Sequence, residues 1–178
     1  MTMNPRSKRI AAVSIVLIVV LAAVGALMIF NKSPDLLNSE FRIVVTNSMD
    51  GEPQTQYDIQ TIPVNSLIAV HKADAEMVSE TKVGDVIGFY SDAVHGNVYH
   101  RVIEVDTDGQ FFTTKGDNTH STEHIAFGQM LGKVVNVSPA AGGAVVFLKS
   151  NILFVLAVII ILVIMVEAVS YVLKLGKE

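Results

Sequence analysis

Cysteine is absent from the 178 residues. An exported domain is free to use disulfides, and this chain has none to form. The same absence excludes a cysteine nucleophile and any thiolate metal site. Basic charge is scarce in the middle of the chain. Residues 31–151 hold eight Lys and Arg against fifteen Asp and Glu, a net of about −7. That balance argues against a nucleic-acid partner. The same stretch lacks a long amphipathic helical pattern, an internal repeat and a low-complexity tract.

Charge and proline are both missing from residues 10–30. As a helix this run spans about 31 Å, roughly one hydrocarbon core. Arg6, Lys8 and Arg9 precede it. A cleavable signal peptide has a similar basic start, but its apolar core is only about 7–15 residues long. Here Phe30-Asn-Lys-Ser-Pro follows in place of a small-x-small cleavage site, so the expectation is a retained anchor. A second apolar run covers 152–173 and is unbroken to Val166, before Glu167 and Ser170. Its length and few polar groups favour a second span over a buried core helix. Glu167 falls near the far end, where a long side chain snorkels to the interface.

Charge then orients the chain. Arg6, Lys8, Arg9, Lys174 and Lys177 flank the two runs on their outer sides. Basic flanks stay cytoplasmic. The expected organisation is a cytoplasmic N-terminus (1–9), a transmembrane helix (10–30), an extracytoplasmic β-rich domain (31–151), a second transmembrane helix (152–173) and a cytoplasmic C-terminus (174–178). The address is a cell membrane, crossed more than once, with both ends inside. Asn31-Lys-Ser and Asn136-Val-Ser are glycosylation acceptors only in a eukaryotic host, where the address becomes the ER membrane.

Periodicity in the middle domain is mostly two. Segments 41–46, 66–71, 83–90, 97–105, 110–114 and 131–137 are short and rich in Val, Ile, Phe, Tyr and Thr. Turn residues separate them. Val105-Asp-Thr-Asp-Gly-Gln reads as a hairpin loop in which Gly109 supplies a positive φ. Pro139-Ala-Ala-Gly-Gly-Ala reads as a flexible link into the second span. The fold class expected is mainly β: a small antiparallel domain flanked by two transmembrane helices.

Three positions carry chemistry. Ser48 ends the run Phe41-Arg-Ile-Val-Val-Thr-Asn-Ser48-Met49 and opens a polar loop over 50–64. A serine hydroxyl needs a base to take its proton and backbone donors for the oxyanion. The plain alternative is a strand-end serine bonding its own backbone. His100, in Val98-Tyr-His100-Arg-Val-Ile-Glu, is the one histidine of five within a strongly strand-like run. Histidine as a residue type titrates near neutrality and suits a general base, though packed imidazoles are common. Asp117, in Thr114-Lys-Gly-Asp117-Asn, and Glu123 are acids that would orient the imidazole. Gly-Asp-Asn is also an ordinary turn sequence.

The order of these motifs resembles the signal peptidase family, in the ER-type and archaeal-type branch also found in some Gram-positive bacteria. That branch uses Ser and His where the main bacterial branch uses Ser and Lys. The resemblance covers roughly 41–137 plus the N-terminal anchor. It implies a signal-peptidase-like β domain, a serine endopeptidase that removes signal peptides, and no cofactor or metal. Ser48 takes the nucleophile's place and His100 the base's. Asp117 matches the family's Gly-Asp-Asn aspartate, and Glu123 stands where a second aspartate is usual. The family's Ser-Met-x-Pro is here Ser48-Met-Asp-Gly, followed by a longer insertion to about Ile62. The implied substrate is a secretory preprotein with small residues at −1 and −3, held as an extended strand along a sheet edge. Segments 41–46 and 83–90 are the candidate edges, and Met49 is a candidate for lining the pocket. The implied surroundings are the lipid bilayer, with room for contact with the export machinery.

Two other readings stand beside this one. His120-Ser-Thr-Glu123-His124 matches the inverted zinc-protease motif H-x-x-E-H, which on a helix would set two histidines on one face. A catalytically inactive, membrane-anchored β domain that binds exported proteins would account for the anchors, acidity and strands, and not for the ordered Ser, His and Asp motifs.

Overall fold

The computed structural model describes residues 39–175. The span expected over 10–30 therefore lies outside the described residues. Seven strands form one antiparallel sheet: β1 (Ser39–Ile43), β2 (Leu67–Lys72), β3 (Val86–Ser91), β4 (Gly96–Asp106), β5 (Phe111–Lys115), β6 (Thr122–Ala126) and β7 (Met130–Ser138). Their order across the sheet is β1-β2-β7-β3-β4-β5-β6. A short helix α1 (Ala75–Glu80) joins β2 to β3, and a 3₁₀ turn over Phe127–Gln129 joins β6 to β7. After β7 come α2 (Pro139–Ser150) and α3 (Ile152–Leu175). Asp74 caps α1 by accepting from the Met77 amide at 2.8 Å, one of the donors a helix start leaves free.

Apolar side chains sit on both faces of the sheet. Residues paired across strands share a face, and each step along a strand switches it. One core holds Ile68 and Val70 of β2, Val86 of β3 and Val134 of β7, closed by Met49 and Ile62 from the loop after β1. The other holds Ile87, Val102, Phe112 and Met130, with Met77 and Val78 of α1 packed over it. Each fully buried Ile, Val or Phe contributes roughly 1.5–3 kcal/mol. His100 and Arg101 fall between Tyr99 and Val102, so the two polar residues are sent to opposite faces.

Several sequence expectations change. Segment 83–90 is not an edge: β3 begins at Val86 and lies between β7 and β4. Gly84, at φ 98, bends the chain into it. Gly109 is not the left-handed residue of its hairpin; Gln110 is, at φ 55. A Cβ on Gly109 would lie 2.6 Å from the Phe111 ring and 2.9 Å from Asp106 Oδ2, so closeness fixes that glycine. The supposed flexible link at 139–144 is the start of α2. A Cβ on Gly142 would run into the backbone of Asn65, Ser66 and Leu67, and the small residue lets the helix lie against it. β6 was not expected at all.

The described chain divides into two compact units, one ending at Ala144 and one beginning at Val145. In the second, Ile152–Val169 has a mean hydropathy of 3.3 and no buried side chain in that window. The helix is long and apolar enough to cross a membrane.

Candidate active site

Ser48 and Met49 occupy the centre of a turn closed by the Asp50 amide donating to the Asn47 carbonyl at 3.1 Å. All three carbonyls of this turn are held from outside. Asn118 donates its amide to the Ser48 carbonyl at 2.8 Å and its side chain to the Asn47 carbonyl at 3.3 Å. The Met49 carbonyl accepts from the Ile62 amide at 2.9 Å and from Thr61 Oγ1 at 3.1 Å. The amides of Ser48 and Met49, by contrast, donate to nothing among the described residues. Carbonyls pinned while amides remain unbonded is the local condition an oxyanion site requires.

His100 is placed by strand register. Lys115 pairs with Arg101, so one further residue brings Gly116 opposite His100. A Cβ on Gly116 would lie 3.0 Å from His100 Nε2 and 2.6 Å from the Ser48 carbonyl oxygen. The bare glycine is what lets the imidazole and the Ser48 turn approach one another. The ring is buried, 6 % exposed, with its edge on Phe89 at 5.9 Å between centroids.

The other imidazole nitrogen meets Glu123. Val102 pairs with Thr114 and Thr114 with Glu123, which sets Glu123 on the His100 face of the sheet. Nδ1 lies 3.0 Å from Glu123 Oε2. A carboxylate only accepts, so Nδ1 is the donor in this bond, and Nε2 is the ring nitrogen left on the side of Gly116 and the Ser48 turn. Thr114 Oγ1 also donates to Glu123 Oε2, at 3.4 Å. The extra methylene of Glu over Asp is used to span this gap from β6.

Asp117 does not touch His100. Arg101 Nε donates to its Oδ1 at 2.8 Å, and Nη2 to its Oδ2 at 2.6 Å. Both side chains are buried, 4 % and 6 % exposed. Arg101 Nη1 donates to the Gly84 carbonyl at 2.8 Å, and the guanidinium lies 5.0 Å from the Tyr57 ring centroid. A buried charge needs this degree of pairing. In the chain, Asp117 sits between Gly116, against His100, and Asn118, bonded to Ser48.

The Ser48 hydroxyl makes no hydrogen bond to His100. Its partner is Thr46 Oγ1 at 3.5 Å. Met49 is 2 % exposed and belongs to the core; its side chain lines no open surface. Two stretches of strand have one strand neighbour each among the described residues. Glu40–Ile43 of β1 pair with β2. Gly96–Tyr99 of β4 pair with β3 on one side, and β5 joins the other side only from Arg101 onward. Val44, just after β1, and Tyr99 pack on the same core cluster. Burial raises the Tyr99 phenol above its ordinary pKa, with nearby Arg42 opposing the rise. Two surface depressions, of about 290 and 360 Å³, lie along residues 56–61 and 133–137 and include neither Ser48 nor His100.

The H-x-x-E-H segment does not form a helix. Glu123 and His124 are neighbours in β6 and face opposite ways: His124 pairs with Thr113 and packs on Phe111 at 5.4 Å. His120 lies before the strand. No three His, Cys, Asp or Glu side chains converge as a metal site would need, among the described residues.

Arg101, Tyr57, Gly116 and Asn118 are the site residues that sequence reasoning passed over. An arginine amid Val-Tyr-His-Arg-Val-Ile is the signal that was available, since a charge inside an apolar strand demands a partner. No protein-family model and no curated protein matches this chain.

Proposed function

We propose that the chain is a membrane-bound serine endopeptidase that removes N-terminal signal peptides from exported proteins. Ser48 is the nucleophile, His100 the general base and Glu123 the acid that orients it. The observation that carries this reading is the setting of His100, with Glu123 at Nδ1 and Nε2 at the bare face of Gly116, where the Ser48 carbonyl also approaches.

The chemistry follows from that setting. The reaction requires the Ser48 side chain to leave Thr46 and bring Oγ to Nε2. Long or unmade bonds of this kind are common before substrate arrives. Nε2 takes the hydroxyl proton as Oγ attacks the scissile carbonyl, and Glu123 stabilises the imidazolium. The free amides of the Ser48 turn hold the oxyanion, a contribution of about 10²–10³ in rate per donor. His100 then protonates the leaving amine, and water releases the acyl group from Ser48. Asp117 works at one remove, by fixing the 116–118 turn through Arg101.

The substrate is an extended segment that pairs with the outer edges of Glu40–Ile43 in β1 and of Gly96–Tyr99 in β4. Helix α3 and the run over 10–30 are the membrane spans, with both termini cytoplasmic and the sheet outside. A tethered enzyme meets a tethered precursor at high effective concentration. The partners are signal peptides and lipid, with the export machinery as the source of substrate.

The bond from Ser48 Oγ to Thr46 favours a second reading, an inactive anchored domain that binds exported chains. Reconstituting the full chain in liposomes with a model preprotein separates the two. The peptidase reading predicts a product whose new N-terminus follows a small residue, formed equally with and without chelator. Binding of the precursor with no cleavage contradicts it, and cleavage lost on chelation points to metal chemistry instead.

A further inference from the structure

The loop that leaves Ser48 returns to it by an indirect route. Its base is tied to the Ser48 turn, with Thr61 Oγ1 donating to the Met49 and Gly51 carbonyls at 3.1 and 3.2 Å. Its outer part is pinched shut by the Gln54 amide donating to the Gln60 carbonyl at 2.8 Å. The Tyr57 amide donates to the Gln54 carbonyl at 3.0 Å, which closes a turn at the tip. The ring lands on Arg101, 5.0 Å from guanidinium carbon to centroid.

Gly84 makes room for that landing. A Cβ there would fall on the Tyr57 ring, and the residue's φ of 98 already excludes other side chains. Arg101 in turn holds both oxygens of Asp117. Asp117 heads the turn whose next amide, from Asn118, holds the Ser48 carbonyl. The contacts therefore run in a closed ring from Ser48 through the loop to Tyr57, Arg101, Asp117 and Asn118, and back to Ser48.

We propose that Tyr57 is a positioning residue for the Ser48–His100 chemistry. Its ring lies over the Arg101 guanidinium in the notch left by Gly84. That contact keeps Arg101 on Asp117 and fixes the turn against which Ser48 and His100 are aligned. The inference rests on the peptidase reading. Tyr57 touches neither reacting atom, so its effect falls on kcat and not on substrate affinity. An aromatic face attracts a cation where an aliphatic side chain of similar bulk does not.

The test compares full-length wild type, Tyr57→Phe, Tyr57→Leu and Tyr57→Ala in liposomes on one preprotein, each first checked for cooperative thermal unfolding. Tyr57→Ala and Tyr57→Leu are expected to lower kcat about thirtyfold, the rate equivalent of a desolvated cation–π contact, with KM unchanged. Tyr57→Phe is expected to stay within about twofold of wild type. If Leu performs as well as Phe, the ring acts by filling space and the proposal is overturned. A change in KM alone overturns it too, as does a Tyr57→Ala enzyme with wild-type kcat. Wild type that cleaves nothing removes the peptidase reading itself, an outcome distinct from all of these. Should Tyr57→Ala fail to fold, the Leu and Phe pair decides.

Discussion

Glu123 and Asp117 lie six residues apart, and the sequence presents them as equivalent partners for one histidine. Strand register separates them. The pairing of Val102, Thr114 and Glu123 across three strands sets the glutamate on the His100 face, while Asp117 turns to Arg101 on the other. A residue-level reading supplies the two acids and cannot rank them, because the ranking depends on which residues pair across strands. The two acids therefore fail differently when neutralised. Glu123→Gln removes the negative charge that supports the imidazolium and adds an amide donor that competes for Nδ1, and kcat should fall about 10²–10⁴-fold with stability nearly unchanged. Asp117→Asn strands a buried guanidinium, and unfolding free energy should drop by about 3–5 kcal/mol. Preprotein cleavage rates and denaturant midpoints, measured on both variants, distinguish these outcomes. Equal effects on rate and stability in the two would contradict the assignment.

At the scale of elements, six of seven strands were legible from period-two patterning, because alternate residues of this sheet meet apolar cores. β6 escaped because Thr122-Glu-His-Ile-Ala buries one residue firmly, Ile125, and leaves no alternation to read. α2 escaped for a different reason. Its small residues resemble a linker in isolation, and only the 65–67 backbone gives Gly142 its use. That contact also covers Ser66. Its side chain is fully buried, and its Oγ is the one buried side-chain polar atom without a hydrogen-bond partner among the described residues. An unsatisfied buried hydroxyl costs free energy that a methyl group does not. Ser66→Ala should accordingly raise unfolding free energy by about 1 kcal/mol in urea titration. A loss of stability would show that the hydroxyl does have a role in the junction between β2 and α2.

Across the whole molecule, sequence reading located the acidic β domain and the apolar C-terminal helix, since composition alone separates them. It placed Ser48, His100 and the acids in order without seeing what aligns them. Gly116, Asn118, Arg101 and Tyr57 join the site by close approach, a main-chain amide, a buried pair and a ring face, and none of these leaves a motif. The central claim is that Ser48 and His100 work as one unit. The most direct measurement is the cleavage rate of one preprotein by Ser48→Ala, His100→Ala and the double variant, beside wild type. Groups that act together lose their contribution together, by up to about 10⁶-fold in kcat. The account predicts that each single variant falls as far as the double. Losses that add, or a Ser48→Ala enzyme that still cleaves, would contradict it.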